Sequence, residues 1–547
     1  MIPRIVSSER HPLRGYSHQK ETPARARSGV LLARIPLRSL SLALTLALPG
    51  AALADAAADY AEHCASCHAE NRMGGTGPAL IPETLGRVKG LDAVIAHGRP
   101  STQMAGFEGT LSPEQIAGLV AFIKSPVAEV PAWGAPEIAA SRIMAEDYTP
   151  ADKPVFSADP MNITLVVETG DHHVSVLDGD SFEVLDRFPT PYAVHGGPKF
   201  SPDGRYVFVM SRDGWVEKYD IWSLKEVGRV RAGLNSRNIA MSHDGKWLAV
   251  ANYLPQTLTI LDTATLEPVK VIEVRAKDGT PSRVSAVYQA PDRKSFILAL
   301  KDAPEIWEVA TSPDAGPFED GYVHSYEAGA KESFGAQAGL FARRRIPIAE
   351  PLDDFFFDPG YRNLIGTNRE GTKGVVINLV SGGKVAELPL PGMPHLGSGI
   401  TWDRNGHKVL ATPHLNEGVL SVIDMSDWSL VKQIKTDRPG FFLRSHETSP
   451  YVWADVFFGP HKDEMHIIDK QTLEIVKTLN PAPGKTVAHT EFTKDGRYAL
   501  VSVWEDEGAV IVYDARTLEE VKRLPMRKPS GKYNVWNKIH FEEGTSH

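Results

Sequence analysis

The sequence predicts a small all-α domain followed by an all-β propeller of eight blades, and three observations carry that expectation. The first is Cys64-Ala65-Ser66-Cys67-His68, which holds the only two cysteines in 547 residues. The second is a set of helix signals confined to residues 55–127. The third is an internal repeat that occupies residues 160–547.

The chain opens on a different kind of segment. Residues 1–54 carry eight Lys/Arg and two Glu, then the apolar run Leu40–Leu48, then Ala52-Leu53-Ala54 as a small-residue cleavage site. That is the pattern of a secretory signal peptide, removed in the mature chain. The apolar run is too short to span a bilayer, so no lasting membrane anchor is expected. Removing the leader takes the formal charge from −9 to −15. An acidic chain of this kind is not expected to bind nucleic acid. Export also suits the cysteines, because haem c is attached outside the cytoplasmic membrane. The expected address is the periplasm.

Cys-x-x-Cys-His is the attachment motif for a c-type haem. Cys64 and Cys67 can form thioethers to one macrocycle, and His68 can reach its iron. A disulfide or a redox dithiol needs no following histidine, and a zinc site needs further soft ligands nearby. Asp55–His63 reads as a helix leading into the motif. Asn71–Leu80 is a glycine-rich loop able to pass close to a flat ring. Ser112–Ile123 is a helix with Ser112 as cap, Pro113 in the first turn, and Ile116, Leu119, Val120 and Ile123 on one face. Residues 55–127 thereby resemble a class I cytochrome c domain. By that resemblance a methionine supplies the sixth iron ligand; Met104 matches the position, and Met73 is its rival. A methionine at either place could instead fill a gap in the core.

Residues 128–159, rich in Pro and Ala, read as a linker. The repeat follows. Its unit is an Asp-Gly turn, a hydrophobic strand, a polar break, a strand ending on Asp, a Thr-Leu-Glu-like turn and a Val-rich strand. Ser201-Pro-Asp-Gly, Ser242-His-Asp-Gly and Thr493-Lys-Asp-Gly open the clearest copies. Weaker ones begin near Asn162, Ala290, Phe357, Trp402 and Ser449. The spacing is that of four-stranded propeller blades. Asp-Gly turns between short alternating strands favour this over a solenoid or a pair of sandwiches. Extra sequence at roughly 311–350, including Arg343-Arg344-Arg345, reads as an inserted loop.

A haem c domain preceding eight blades resembles the cytochrome cd1 nitrite reductase family, including its dihydro-haem d1 dehydrogenases. The resemblance spans essentially the whole mature chain. It rests on Tyr192-Ala-Val-His195, Ser211-Arg212-Asp213-Gly214, Pro394-His395, Thr412-Pro-His414-Leu415 and Trp453-Ala454-Asp455. It implies that the propeller holds haem d1. His195 would be the proximal ligand of the d1 iron, and His395 its distal ligand. The glycines at 392, 397 and 399 read as a flexible loop that lets His395 swing off the iron. Arg212, Arg237 and Arg283 would hold carboxylates of the pigment.

The nitrite reductases carry a second distal histidine where this chain reads Glu350-Pro-Leu-Asp353-Asp354. That departure weakens nitrite reduction, which consumes two protons for each electron. The dehydrogenases of haem d1 biosynthesis fit better, with Tyr533 and His489 at their functional positions. The implied reaction turns a propionate of dihydro-haem d1 into an acrylate. Electrons would leave through haem c to a periplasmic acceptor cytochrome, and nitrite reductase would receive the finished haem d1. His414 and His446 are further candidates for the pocket, and a monomer is expected. The competing readings are nitrite reductase itself, a non-enzymatic haem d1 carrier, and a cytochrome-fused propeller that binds a protein partner.

Overall fold

The repeat unit explains the blade it makes. In the computed structural model the Asp-Gly turns place Gly204, Gly245 and Gly496 at φ +71°, +73° and +70°, where a side chain is strained. The third strand ends on an aspartate whose Oδ1 caps the next turn. Asp262 accepts from the amides of Ala264 and Thr265, and Asp514 from those of Arg516 and Thr517. The leucine of that turn then takes a left-handed φ, 61° at both Leu266 and Leu518. A non-glycine residue there costs about 1–2 kcal/mol. Burial of the leucine side chain, complete at Leu266, contributes about 1.5–3 kcal/mol and offsets the strain.

The structure describes residues 49–86, 88–99, 102–191, 194, 197–316, 318, 337–367 and 373–540. Among them are eight antiparallel sheets of four blade strands each. Blade 1 draws its innermost strand, Pro529–Asn534, from the far end of the chain; it pairs with Ile163–Glu168 in the register Leu165 to Tyr533. The ring is thus closed by backbone hydrogen bonds between the propeller's two ends. Blade 2 has a fifth strand, Ile143–Met144, which pairs with its outer strand Lys225–Arg231 and covers that edge. The Pro/Ala-rich stretch before it also contains a short helix, Ala135–Ala140.

One expectation is corrected. Arg343, Arg344 and Arg345 do not lie in a loop: Arg343–Pro347 is the outer strand of blade 4, paired with Glu305–Ala310. The guanidinium groups explain why. Arg343 lies 4.2 Å over the Trp307 ring, and Arg344 donates to Leu379 O at 2.6 Å. Three charges in a row therefore find partners on a blade edge.

The helical domain comprises Pro49–His63, Ala65–His68, Pro82–Leu85, Leu91–His97 and Pro113–Lys124. Ser112 and Gln115 form the reciprocal capping box at the last helix, at 3.2 and 3.0 Å. Tyr60, Leu91, Ile95, Leu111 and Leu119 are central to its core. A second apolar cluster joins this domain to the propeller: Met73, Ala79 and Ile81 pack with Leu234 and Leu254. No helix of the described residues is long and apolar enough to cross a membrane. Most of the expected leader lies outside the described residues.

Candidate active site

The helical domain first. One turn of helix brings Cys64, Cys67 and His68 together, with the amides of Cys67 and His68 bonded to Cys64 O at 3.1 and 3.0 Å. Both cysteines are free of disulfide. His68 is buried, and its Nδ1 lies 2.7 Å from Pro78 O. Burial lowers its pKa against a smaller opposing effect of that bond, so the ring is neutral. Nδ1–H donates to the carbonyl, which leaves Nε2 as the metal-binding nitrogen. Gly77 permits the arrangement, because a Cβ there would lie 2.6 Å from the His68 ring. These residues fit a covalent haem c. Met104 is half-buried on its loop. Its rival Met73 is occupied in the apolar cluster with Leu234 and Leu254.

In every blade the chain enters the first strand, and crosses from the second strand to the third, on the same face. Arg237 and Arg283 lie at or beside first strands, and Arg212 between second and third strands. The structure brings all three around Tyr253. Arg212 and Arg283 lie 5.4 and 5.3 Å from its ring centre, with Lys301 at 5.9 Å. Burial and then Arg237 push the Arg212 guanidinium down to about 10. The Tyr253 hydroxyl is held below its usual range: Lys301 and the arginines outweigh burial, which acts the other way. Arg283 is clamped by Asp302 at 2.9 and 2.6 Å. Arg212 donates to Ser236 O at 2.8 Å and to Thr76 O at 3.3 Å. A second arginine beside Arg212 disfavours its charged form, and a carboxylate ligand would relieve that.

His395 lies on the same face, half-buried. Its Nδ1 is 2.8 Å from Phe441 O and 2.7 Å from Ser398 Oγ. The contact of Nδ1 with a backbone carbonyl repeats the arrangement at His68. The segment is not loose, as its glycines suggested. His395 N donates to Pro413 O at 2.9 Å, and Gly397 N donates to Asp354 Oδ2 at 2.6 Å. A Cβ at Gly397 would lie 2.6 Å from that oxygen. Close approach, rather than freedom, explains this glycine. Asp353 and Asp354, where the nitrite reductases carry a histidine, are engaged by Lys301 and by Tyr288 and Gly397.

His489 sits on a bulge in the inner strand of blade 8. The register slips between Ala488 and Thr490, and His489 takes φ 46°. A bulge re-aims the side chain it carries. The His489 ring lies 5.6 Å from that of Tyr533 and 4.9 Å from Phe442. Its Nδ1 accepts from Lys532 N at 3.3 Å, so Nε2 carries the hydrogen. Burial, with Lys532, Arg444 and Lys538 beside it, holds the imidazole well below its usual range. Tyr533 is half-buried, and a Cβ on Gly531 would meet its hydroxyl at 2.3 Å. Burial pushes its phenol up to about 12, with Arg444 opposing. Both groups are neutral at pH 7.

His195 lies outside the described residues. His414 is fully buried with Nδ1 bonded to Pro391 O and Nε2 2.9 Å from Ser421 Oγ, so it ties the Pro391 loop to the strand Val419–Asp424. His446 follows an inner strand to the opposite face, where it meets Thr448 at 2.9 Å. The sequence reading gave no site role to Tyr253, Lys301, Phe441, Phe442 or Lys532. Of these only the doublet Phe441-Phe442, after Pro-Gly between two strands, carries a local signal of an aromatic-lined loop.

Comparison with known proteins agrees with this geometry. The Cytochrome D1 heme domain matches residues 158–319 and 334–538, and a family described as cytochrome c oxidase, cbb3-type, subunit III matches 51–123. The chain is 52% identical over 517 residues to a dihydro-heme d1 dehydrogenase of Pseudomonas aeruginosa, covering 93% of this chain and 100% of that protein. It is 24% identical over 537 residues to the nitrite reductase of Stutzerimonas stutzeri, covering 88% and 92%. Among solved structures it is similar to dihydro-heme d1 dehydrogenase NirN in complex with DHE. That match has a TM-score of 0.73 and 52% identity, over 89% of this chain and 100% of that one.

Proposed function

Because the chain belongs to the cytochrome D1 heme domain family, we propose that it is an oxidoreductase of haem d1 biosynthesis that converts a propionate of dihydro-haem d1 to an acrylate. The observation that carries this reading is the meeting of Tyr533 with His489, on the face where His395 and three arginines converge. Arg212, Arg237 and Arg283 hold the carboxylates of the substrate through paired N–H donors. His395 would ligate its iron, as the resemblance also implies for His195.

Removing two hydrogens from CH2–CH2 releases two protons and two electrons. As phenolate, Tyr533 accepts one proton from the reacting chain and returns it to solvent before accepting the second. The nearby Arg444 cation favours that phenolate, and the His489 ring lies 5.6 Å from it. Haem c would be held by Cys64 and Cys67 with His68 and Met104 as the iron ligands, and would supply a one-electron acceptor. With both ligands in place that iron would offer no substrate position, so the chemistry is assigned to the propeller.

We place the domain limits at 55–127 for the cytochrome and 160–547 for the propeller, after a removed leader of 1–54 and a linker of 128–159. A periplasmic address, a soluble cytochrome as electron acceptor, nitrite reductase as recipient of the product, and a monomeric state complete the proposal. The test is incubation of the holoprotein with dihydro-haem d1 and an electron acceptor, followed by absorption and mass. Loss of two hydrogens supports the dehydrogenase. Binding without conversion supports a carrier, and nitric oxide from nitrite supports the reductase. The pairing of Asp353 with Lys301, where a proton-donating imidazole would be needed, argues against the last.

A further inference from the structure

Asp455 is buried, 1% exposed, at the end of the second strand of blade 7, Tyr451–Asp455. Its two oxygens serve two different segments. Oδ1 accepts from the amides of Phe441 and Phe442 at 2.7 and 3.0 Å, and Oδ2 accepts from the amide of His489 at 3.1 Å. The Phe441 carbonyl, on the first of those segments, lies 2.8 Å from His395 Nδ1. One carboxylate therefore connects the peptide that orients His395 with the bulge that presents His489. The Phe442 ring touches both histidines, at 6.1 Å from His395 and 4.9 Å from His489. Gly440 allows the loop to come this close, since a Cβ there would lie 2.3 Å from Asp455 O.

We propose that Asp455 is the positioning residue that fixes His395 and His489 relative to one another, so that the distal ligand and the group beside the reacting chain move as one unit. The assignment rests on the reading of His395 and His489 given above. No apolar residue could substitute, because three amides would lose their acceptor. Asparagine could not either. Its single carbonyl oxygen can serve Phe441 and Phe442 or His489, and its NH2 would then face an N–H on the other side.

The test uses the full-length haem c-loaded protein with Asp455→Asn, Gly440→Ala, the double variant, and Asp437→Asn as a control of equal charge change on the loop that carries Gly440 and Phe441. Dihydro-haem d1 is titrated in, and its absorption bands, KM and kcat are read. For Asp455→Asn we expect bands displaced towards those of His395→Ala, a kcat about 100-fold lower from loss of alignment, and KM within about threefold. Gly440→Ala should change the same quantities, and the double variant should be no worse than the weaker single one. Wild-type bands and kcat in folded Asp455→Asn would overturn the proposal. So would additive losses in the double variant, or equal losses in Asp437→Asn. If Asp455→Asn does not fold, Gly440→Ala decides by the same criteria. If the wild-type protein binds the pigment without converting it, the dehydrogenase reading fails, while the bands still decide the role of Asp455.

Discussion

At the scale of single residues, Tyr533 and His489 divide one task according to their surroundings. A phenol raised to about 12 is a base only when deprotonated, and its phenolate fraction rises tenfold per pH unit below that value. If Tyr533 takes the proton, log kcat should climb with a slope near +1 between about pH 7 and 9. If instead the already neutral His489 took it, the profile would be flat there. Tyr533→Phe should abolish conversion and leave pigment affinity within about threefold, measured by absorption titration; unchanged turnover would remove the role. Gly77 offers a second test. Its Cβ would fall 2.6 Å from the His68 ring, so Gly77→Ala should lower haem c content, read from the reduced spectrum. The two methionines separate cleanly. Met104→Ala should change the haem c spectrum, whereas Met73→Ala should leave it intact and cost about 2–5 kcal/mol of stability through a core cavity.

At the scale of elements, function is carried by departures from the repeat. The regular blade was legible in the sequence because its turn residues are dictated by backbone conformation: glycine where φ is positive, aspartate where amides need a cap. The closing strand Pro529–Asn534 lies beyond the eighth copy of the repeat and carries Tyr533. The His489 bulge was not, because a slip of one residue leaves an ordinary alternating strand in the sequence and depends on what Asp455 and Lys532 offer to the backbone. Arg343–Arg345 failed in the opposite direction. Their charge suggested a loop, yet arginine stems cover Trp307 while the guanidinium groups reach the next blade. The closing strand makes a further expectation. Truncation before Pro529 removes both Tyr533 and the seal of blade 1. Pigment binding and a single cooperative thermal transition should then both be lost, read by absorption titration and circular dichroism.

At the scale of the molecule, the glycine-rich loop beside His68 is the joint between the two centres. Asn235, fully buried, donates to Gly75 O at 3.3 Å and to Arg212 O at 3.0 Å, while Arg212 reaches Thr76 O at 3.3 Å. Arg212, proposed above to hold a substrate carboxylate, therefore also touches the loop that packs on His68. Asn235→Ala should loosen that contact. We expect reduction of haem c by bound dihydro-haem d1 to slow by about tenfold, roughly 1.4 kcal/mol of barrier, in a stopped-flow trace at the haem c band. The absorption of either isolated centre should not change. An unaltered rate would show that the joint does not govern electron transfer.

The amino-acid sequence by itself determined the covalent haem, the eight-blade repeat and the residue types of the site. Each follows from local chemistry: thiols three residues apart, turns that demand glycine or aspartate, and cations suited to carboxylates. Only the tertiary structure decided which of those residues meet. Arg212 from blade 2 and Arg283 and Lys301 from blade 4 converge on Tyr253 of blade 3. Asp455 joins two segments from opposite sides of its own strand. Met73 is a core residue because Leu234 and Leu254 arrive beside it. Contacts of this kind depend on the closure of a ring whose ends lie more than three hundred residues apart; no window of sequence contains both partners.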